Sequence, residues 1–341
     1  MNPQMESWLR QAQQYSGASL WLMEGHPPVL RRDRQCQEIA GASALNDELY
    51  PFFRSYLDSK LKHQLDQNGF CRFRHVSPKG MVSRTDLFRE ASGWAAVLRP
   101  YLPALPPWDS WQAPPSVNAL QSIRQGLILF YGPENSGTTT LMSSFAQNLC
   151  ATHKQRVRLL DRTPEWNIHA GASLLVQGVG SRSWTEDVSA SLGSGTNLFL
   201  FGDIEPTDLE DVLFASFHGA LALACLHASS TAGVAERLGS SQSLLMTQLR
   251  AIVGCHLIPA LQGTGRLPAW DVLIPNSEVI QAWKSGDYAR LSQMQQASSQ
   301  EGSISFETSL AALVRQGRIS PQEARNRVLD PSLWENRDTG L

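Results

Sequence analysis

The chain of 341 residues has no Cys-x-x-Cys pair; its five cysteines, Cys36, Cys71, Cys150, Cys225 and Cys255, are scattered. That spacing argues against a zinc site or a disulfide framework and for a reducing compartment. Neither charge dominates, with 29 Lys plus Arg against 31 Asp plus Glu. No global field therefore draws the chain to nucleic acid or to an anionic membrane. No clustered basic stripe with interleaved aromatics marks a nucleic-acid groove, so no nucleic-acid partner is expected. No window approaches the ~18 apolar residues that a membrane span needs. The start, "MNPQMESWLRQAQQYSG", lacks the basic region and apolar core of a secretory leader. Ten tryptophans, among them Trp94, Trp166, Trp184 and Trp270, follow no helical stripe and read as core or interface residues. There is no internal repeat and no low-complexity tract. What remains is a soluble cytoplasmic chain, 42% hydrophobic and 18% charged, long enough for two domains.

Prolines punctuate it. Six of them fall in "PYLPALPPWDSWQAPPSVN", residues 100–118, and deny helix and central strand their backbone donors. This separates an N-terminal domain over 1–101 from the rest of the chain, with residues 102–118 as linker. Upstream, a helix over 4–14, strands at "ASLWLM", "GFCRFRHV" and "GWAAVLR", and a helix over 46–66 predict a small α+β domain. Downstream, "GLILFYG", "RVRLLD", "NLFLFGD" and "LALACLHAS" are short apolar strands separated by helical segments. This alternation predicts an α/β domain over 119–275 with a parallel sheet covered on both faces. Beyond residue 240 the pattern turns helical, beginning with "SQSLLMTQLRAIVG" and continuing into a helical region over 276–341.

The segment "FYGPENSGTTTL", residues 130–141, has the form of a phosphate-binding loop whose charge is missing. In GxxxxGK[ST], backbone N–H groups and a helix N-terminus surround phosphates, the lysine meets the β and γ oxygens, and the Ser/Thr hydroxyl holds magnesium. Gly132 and Gly137 keep the spacing, and Thr139 takes the magnesium position. Thr138 stands where the lysine belongs, and Glu134 adds a carboxylate. Losing the ammonium removes a charge-assisted interaction worth roughly 1.5–3 kcal/mol. From these residues two readings stay open: a weak nucleotide seat, or a strand-to-helix turn of that shape that binds nothing.

The order of segments resembles the secretion-superfamily ATPases, and within them the PilT-type twitching motility motors of type IV pili. "GLILFYGPENSGTTTL" is similar to their Walker A segment and "RVRLLDRTPEW" to their Asp box. "LFLFGDIEP" is similar to their Walker B, "LALACLHASSTAGVAERL" to their His box and "ISFETSLAALVRQGRISPQEARNRV" to the C-terminal helices of retraction motors. The four-cysteine zinc motif of the extension ATPases is missing, which favours the retraction side. The resemblance implies a RecA-like P-loop NTPase domain behind a PAS-like N-terminal domain. It also implies ATP with magnesium as cofactor, and a homo-hexamer or a mixed ring with a paralogous ATPase. Such a ring sits on an inner-membrane pilus or secretion platform protein, peripheral to that membrane.

Carried over residue by residue, the resemblance assigns phosphate contacts to Gly132, Ser136, Gly137, Thr138 and Thr140, and magnesium to Thr139. Asp203 takes the place of the Walker B glutamate; it is one methylene shorter, and a ~1 Å misplacement can cost about 10²-fold in rate. Asp161 matches the Asp-box glutamate and His227 the His-box histidine; Arg72, Arg74 and Arg99 match arginines that reach a neighbouring subunit's phosphates. The departures are Arg162 for an acid, Glu205 for an arginine, Ser189 and Gly193 for two arginines, and Ala220 for a histidine. His227 also reads as a hydrogen-bonded core residue, Arg72 and Arg74 as surface cover, and Asp203 as a helix cap. The pattern implies slow or absent hydrolysis in a pilus component. Its alternatives are a non-catalytic structural or regulatory ring subunit, or a part of a conjugation or type IVB secretion system. Replacing Thr138 by Lys is expected to raise nucleotide affinity more than turnover, measured by calorimetric titration beside a phosphate-release assay. Unchanged binding would remove the loop as a nucleotide seat.

Overall fold

Strict alternation in "FCRFRHV" places Cys71, Phe73 and His75 on one side of a strand and Arg72 and Arg74 on the other. In the computed structural model the described residues are 3–328, apart from 16–17, 33–34, 47, 103, 135, 163–167, 169–170, 172, 180–183, 240–243 and 263–264. Trp166 lies outside them. The chain divides into two compact units, one up to Ala104 and one from Leu105 onward.

The first unit contains α1 (Pro3–Gln13), β1 (Ser19–Met23), β2 (Val29–Arg32), β3 (Gln35–Glu38), α2 (Leu49–Arg54), α3 (Ser59–Asn68), β4 (Phe70–Val76), β5 (Val82–Glu90) and β6 (Gly93–Pro100). Its six strands form an antiparallel sheet in the order β3-β2-β1-β6-β5-β4. The inward positions Leu20, Leu22, Cys71, Phe73, Leu87, Ala96 and Leu98 pack with Trp8, Leu9, Leu49, Phe53 and Leu65 of the helices. The single helix expected over 46–66 is two helices. Asp58 starts the second one as an N-cap, its side chain accepting from the Leu61 amide at 2.8 Å.

The second unit contains α4 (Pro115–Ala119), β7 (Gly126–Gly132), α5 (Thr138–Thr152), β8 (Arg156–Asp161), β9 (Leu174–Val179), α6 (Thr185–Gly193), β10 (Leu198–Phe201), α7 (Leu209–Phe217), β11 (Leu221–His227) and α8 (Thr231–Leu238). It continues through α9 (Leu245–Gln248), β12 (Leu249–Pro259), β13 (Arg266–Leu273), α10 (Ser277–Ser285), α11 (Tyr288–Ala297), α12 (Phe306–Arg315) and α13 (Pro321–Arg325). The sheet order is β13-β12-β7-β11-β10-β8-β9. All its pairings are parallel except that of β12 with β13. Every residue of β7 is buried, as a strand covered on both faces requires. Leu127, Leu129 and Tyr131 face the cluster built with α7, α8, α10 and α11, while Phe130 meets Phe145 of α5.

Two expectations are corrected here. "LRAIVG" is strand, not helix: among the described residues of that segment Leu245–Gln248 is helical, and β12 lies between β7 and β13. Its buried run Ala251–Cys255 has no period that separates a buried strand from a buried helix, and pairing on both edges decided the matter. The proline-rich stretch is also not a free span along its length. From Leu105 it belongs to the second unit, where Trp108 packs edge-on against Phe145 at 5.2 Å and its indole N–H donates to Asn118 Oδ1 at 2.8 Å.

His75 is 1% exposed, its ring set among Phe52, Phe53 and Tyr56. Neither ring nitrogen has a hydrogen-bond partner among the described residues. Burial pushes its pKa down to about 4, with Glu6 opposing. The unfolded chain therefore takes up a proton near pH 6.5 that the folded unit refuses until about pH 4. Stability conferred by neutral His75 is complete above pH 6.5 and is lost as pH falls toward 4, by roughly 3 kcal/mol over that window. Native-state hydrogen exchange in β4 and β5 is expected to show this loss in the natural chain, and a shallower pH slope in His75→Leu.

Candidate functional site

The loop after β7 closes into a turn, with the Ser136 amide donating to the Pro133 carbonyl at 3.1 Å. Gly137 precedes α5 with φ 88°, a left-handed conformation that favours glycine, and a side chain there would stand 2.8 Å from Leu257 Cδ1. The Leu141 amide bonds the Gly137 carbonyl at 2.8 Å, so helical pairing begins at once. The amides of Thr138, Thr139 and Thr140 lie in the first turn, where N–H groups have no intrahelical acceptor and the helix dipole is positive. This is the backbone arrangement that seats an anion. Asn135, inside the loop, lies outside the described residues.

Thr138 does not project as a lysine would. It is buried, and its Oγ1 lies 2.8 Å from Ser136 Oγ in a hydroxyl pair folded back beneath the loop. A Cβ on Gly132 would collide with Ser136 Oγ and would lie 2.5 Å from Thr138 Oγ1, so the absence of a side chain there is what lets the two hydroxyls in. Thr139 and Thr140 are half-buried at the helix start.

The register Gly132–His227 between β7 and β11 sets the His-box residue beside the loop. His227 Nδ1 lies 3.4 Å from the Gly132 carbonyl and Nε2 lies 3.4 Å from Asp203 Oδ1. Both neighbours accept only, so the doubly protonated ring suits both. The Asp203 hydrogen bond raises the His227 pKa above its ordinary value against burial, helped by Gly132 and Glu134. Asp161, at the end of β8, is buried, and its carboxylate occupies the space a side chain on Gly202 would fill. Asp161, Asp203, His227 and Gly132 thus gather at the carboxyl ends of four adjacent strands, β8, β10, β11 and β7.

Two arginines nearby are engaged by acids. Arg162 forms a bidentate pair with Asp208, at 2.7 and 3.0 Å, and its guanidinium lies 4.5 Å from the centre of the Trp184 ring. Asp208 also accepts from the Glu205 amide at 2.8 Å, closing a capping box on the turn after Asp203. Arg237 of α8 donates to Glu205 Oε2 at 2.5 Å and to the His227 carbonyl at 2.6 Å. Sequence reading missed Arg237, although charge reversal at Glu205 was a signal that a partner of opposite sign lay near. Ser189 and Gly193 are exposed on α6.

In the first unit Asp86 of β5 separates two of the arginines singled out from sequence. Arg72 Nε lies 2.6 Å from Oδ1 and Arg99 Nη1 lies 2.6 Å from Oδ2. Burial raises the Asp86 pKa, but the two guanidinium groups outweigh it and hold the carboxyl below its usual range. Arg74 shares their face, exposed, opposite Arg84; Arg84 in turn stands opposite Arg99. Arg84 was missed because "VSRTDLFRE" did not read as a strand. Like charges opposite one another across strands repel.

The comparisons with known proteins agree along the whole chain. No family model matches it. It is 22% identical over 321 residues to a twitching motility protein of Neisseria gonorrhoeae, covering 90% of this chain and 86% of the relative. To the type IV pilus ATPase PilU of Pseudomonas aeruginosa it is 21% identical over 336 residues, covering 94% and 87%. Among solved structures it resembles the pilus retraction motor PilT with bound ADP, with a TM-score of 0.76, 22% identity and coverage of 96% and 98%. It also resembles the Legionella pneumophila ATPase DotB, with a TM-score of 0.75, 16% identity and coverage of 94% of each chain. The chain is thus similar over most of its length to type IV pilus ATPases and shares the fold of the retraction motor PilT and the ATPase DotB. Among the described residues no helix is long and apolar enough to cross a membrane.

Removing the Asp203 carboxylate by Asp203→Ala is expected to lower the His227 pKa toward 6.5. Imidazole proton NMR across the titration reads this directly. A His227 titration unmoved by the substitution would break the pair.

Proposed function

We propose that this homologue of the pilus ATPases is a ring-forming subunit of a type IV pilus or a related secretion machine, one that seats nucleotide weakly and hydrolyses it slowly or not at all. One observation carries the reading: the anion-binding main chain is retained while the neighbouring cations are committed elsewhere. Thr138 bonds Ser136, Arg162 bonds Asp208 and Arg237 bonds Glu205. The acids Glu134 and Asp203 are left bearing on His227.

The glycine-shaped turn and the open first turn of α5 fit a phosphate group. Gly132, Ser136, Gly137, Thr138 and Thr140 would hold it through main-chain N–H groups, with Thr139 for magnesium. Magnesium ATP would supply an activated phosphoryl group and charge neutralisation at its oxygens. Asp203 is the group placed to accept a proton from water, but it is already engaged by His227 at 3.4 Å. Asp161 is buried behind Gly202, which suits support of the site better than contact with solvent. Arg72, Arg74 and Arg99, with Arg84 beside them, would meet phosphates of a neighbouring subunit in a homo-hexamer or a mixed ring.

With no lysine, ATP discriminates less between the open and closed forms of such a ring, because a ligand shifts conformations only through differential affinity. That suits a subunit that an active paralogue drives, on a platform protein at the inner membrane. The alternative, a purely structural or regulatory subunit, shares the ring but binds no nucleotide. Calorimetric titration with ATP and magnesium beside a turnover assay is expected to show weak binding and turnover at least about 10²-fold below that of an active retraction motor. Turnover equal to such a motor's, abolished by Asp203→Ala, would overturn the proposal. Absence of binding at millimolar ATP would select the structural alternative.

A further inference from the structure

Tyr131 is the residue before Gly132, and it is fully buried. Its ring fills the space that a side chain on Gly254 of β12 would occupy. Its hydroxyl donates to Asp271 Oδ2 on β13 and lies 3.2 Å from Thr231 Oγ1 at the start of α8. The second carboxylate oxygen, Asp271 Oδ1, accepts from Gln295 Nε2 of α11. The same amide group reaches the carbonyls of Val272 at 3.1 Å and Ile304 at 2.9 Å. Val272 and Ile304 exchange backbone hydrogen bonds of 2.7 and 2.8 Å. One buried carboxylate therefore joins the strand that feeds the loop, the helix that follows His227 and the C-terminal helices.

A buried carboxylate is a poor way to gain stability, since apolar replacements of like volume are often neutral or better. We infer that Tyr131, Asp271 and Gln295 form a positioning bolt that transmits displacement of α11 to Gly132 and to the His227 segment. The inference rests on the loop as a nucleotide seat only for its functional consequence. The mechanical coupling stands on the contacts themselves.

Asp271 gives the bolt a titratable core. Burial pushes its pKa up to about 6, against hydrogen bonds from Tyr131 and Gln295, with buried Glu307 of α12 adding to the rise. Facing it are Tyr131 from β7, Thr231 from α8, Gln295 from α11 and Glu307 from α12, while β12 presents Gly254 without a side chain. Both carboxylate oxygens accept in this arrangement, as the ionised form requires. Protonation turns one oxygen into a donor, and the Tyr131 hydroxyl must then donate to Thr231.

The test uses the full chain without nucleotide, so it is independent of whether the loop binds ATP; calorimetry on the unaltered chain decides that question separately. Tyr131→Phe keeps the ring and removes the hydroxyl. Hydrogen exchange is expected to rise about fivefold in residues 136–141 and 288–297 together, with β4–β6 unchanged. Infrared difference spectra should show a buried carboxylic C=O band growing as pH falls, with its midpoint near 6. The band should vanish in Asp271→Asn and shift to higher pH in Tyr131→Phe. Faster exchange near the loop with α11 unaffected, or a midpoint that Tyr131→Phe leaves in place, would overturn the bolt.

Discussion

The site depends on the pairing of β7 with β11, in register Gly132–His227, with β10 on the far side of β11. Parallel strands end on the same edge of a sheet, so this order gathers a glycine turn, an imidazole and two carboxylates at the strand ends and in the turns that directly follow them. The loop's main chain is then oriented by the strand behind it and the helix ahead of it. A main chain of that form needs glycines and a helix start, and no particular charge.

Around this frame the charged side chains have been turned to internal use. Arg162 clamps Asp208 over Trp184, and Arg237 clamps Glu205 while holding the His227 carbonyl. Exposed ion pairs contribute little to stability. Their effect here is mainly geometric and electrostatic, because a guanidinium and the carboxylate that engages it form a pair of no net charge. In the N-terminal sheet Asp86 likewise pairs with both Arg72 and Arg99.

Two buried polar groups, one in each unit, sit in opposite surroundings. In the first, His75 is held neutral among aromatic rings, an arrangement that acid undoes. In the second, Asp271 has hydrogen-bond partners on both oxygens and ties together elements far apart in the chain. Satisfied networks of this kind fix one arrangement of a core, while an unpaired group only penalises the others.

By itself the sequence determined the α/β class of the second unit, the glycine loop between β7 and α5, and the positions of Asp161, Asp203 and His227 at strand ends. These features are local: apolar runs, turn residues and spacing carry them. Caps are local too: in "RISPQEA" a serine precedes proline at the first helical position, and the Ser320 hydroxyl accepts from the Glu323 amide at 3.0 Å. Tertiary structure alone decided that Leu249–Pro259 is a strand, because its buried centre, Ala251–Cys255, has no period and only its neighbours β7 and β13 select its form. It alone decided the partners of Arg162 and Arg237, the pairing of Arg72 with Asp86, and the meeting of Tyr131 with Asp271. Those contacts join residues from 10 to 140 positions apart, and no local pattern encodes which distant side chain a charge or hydroxyl will meet.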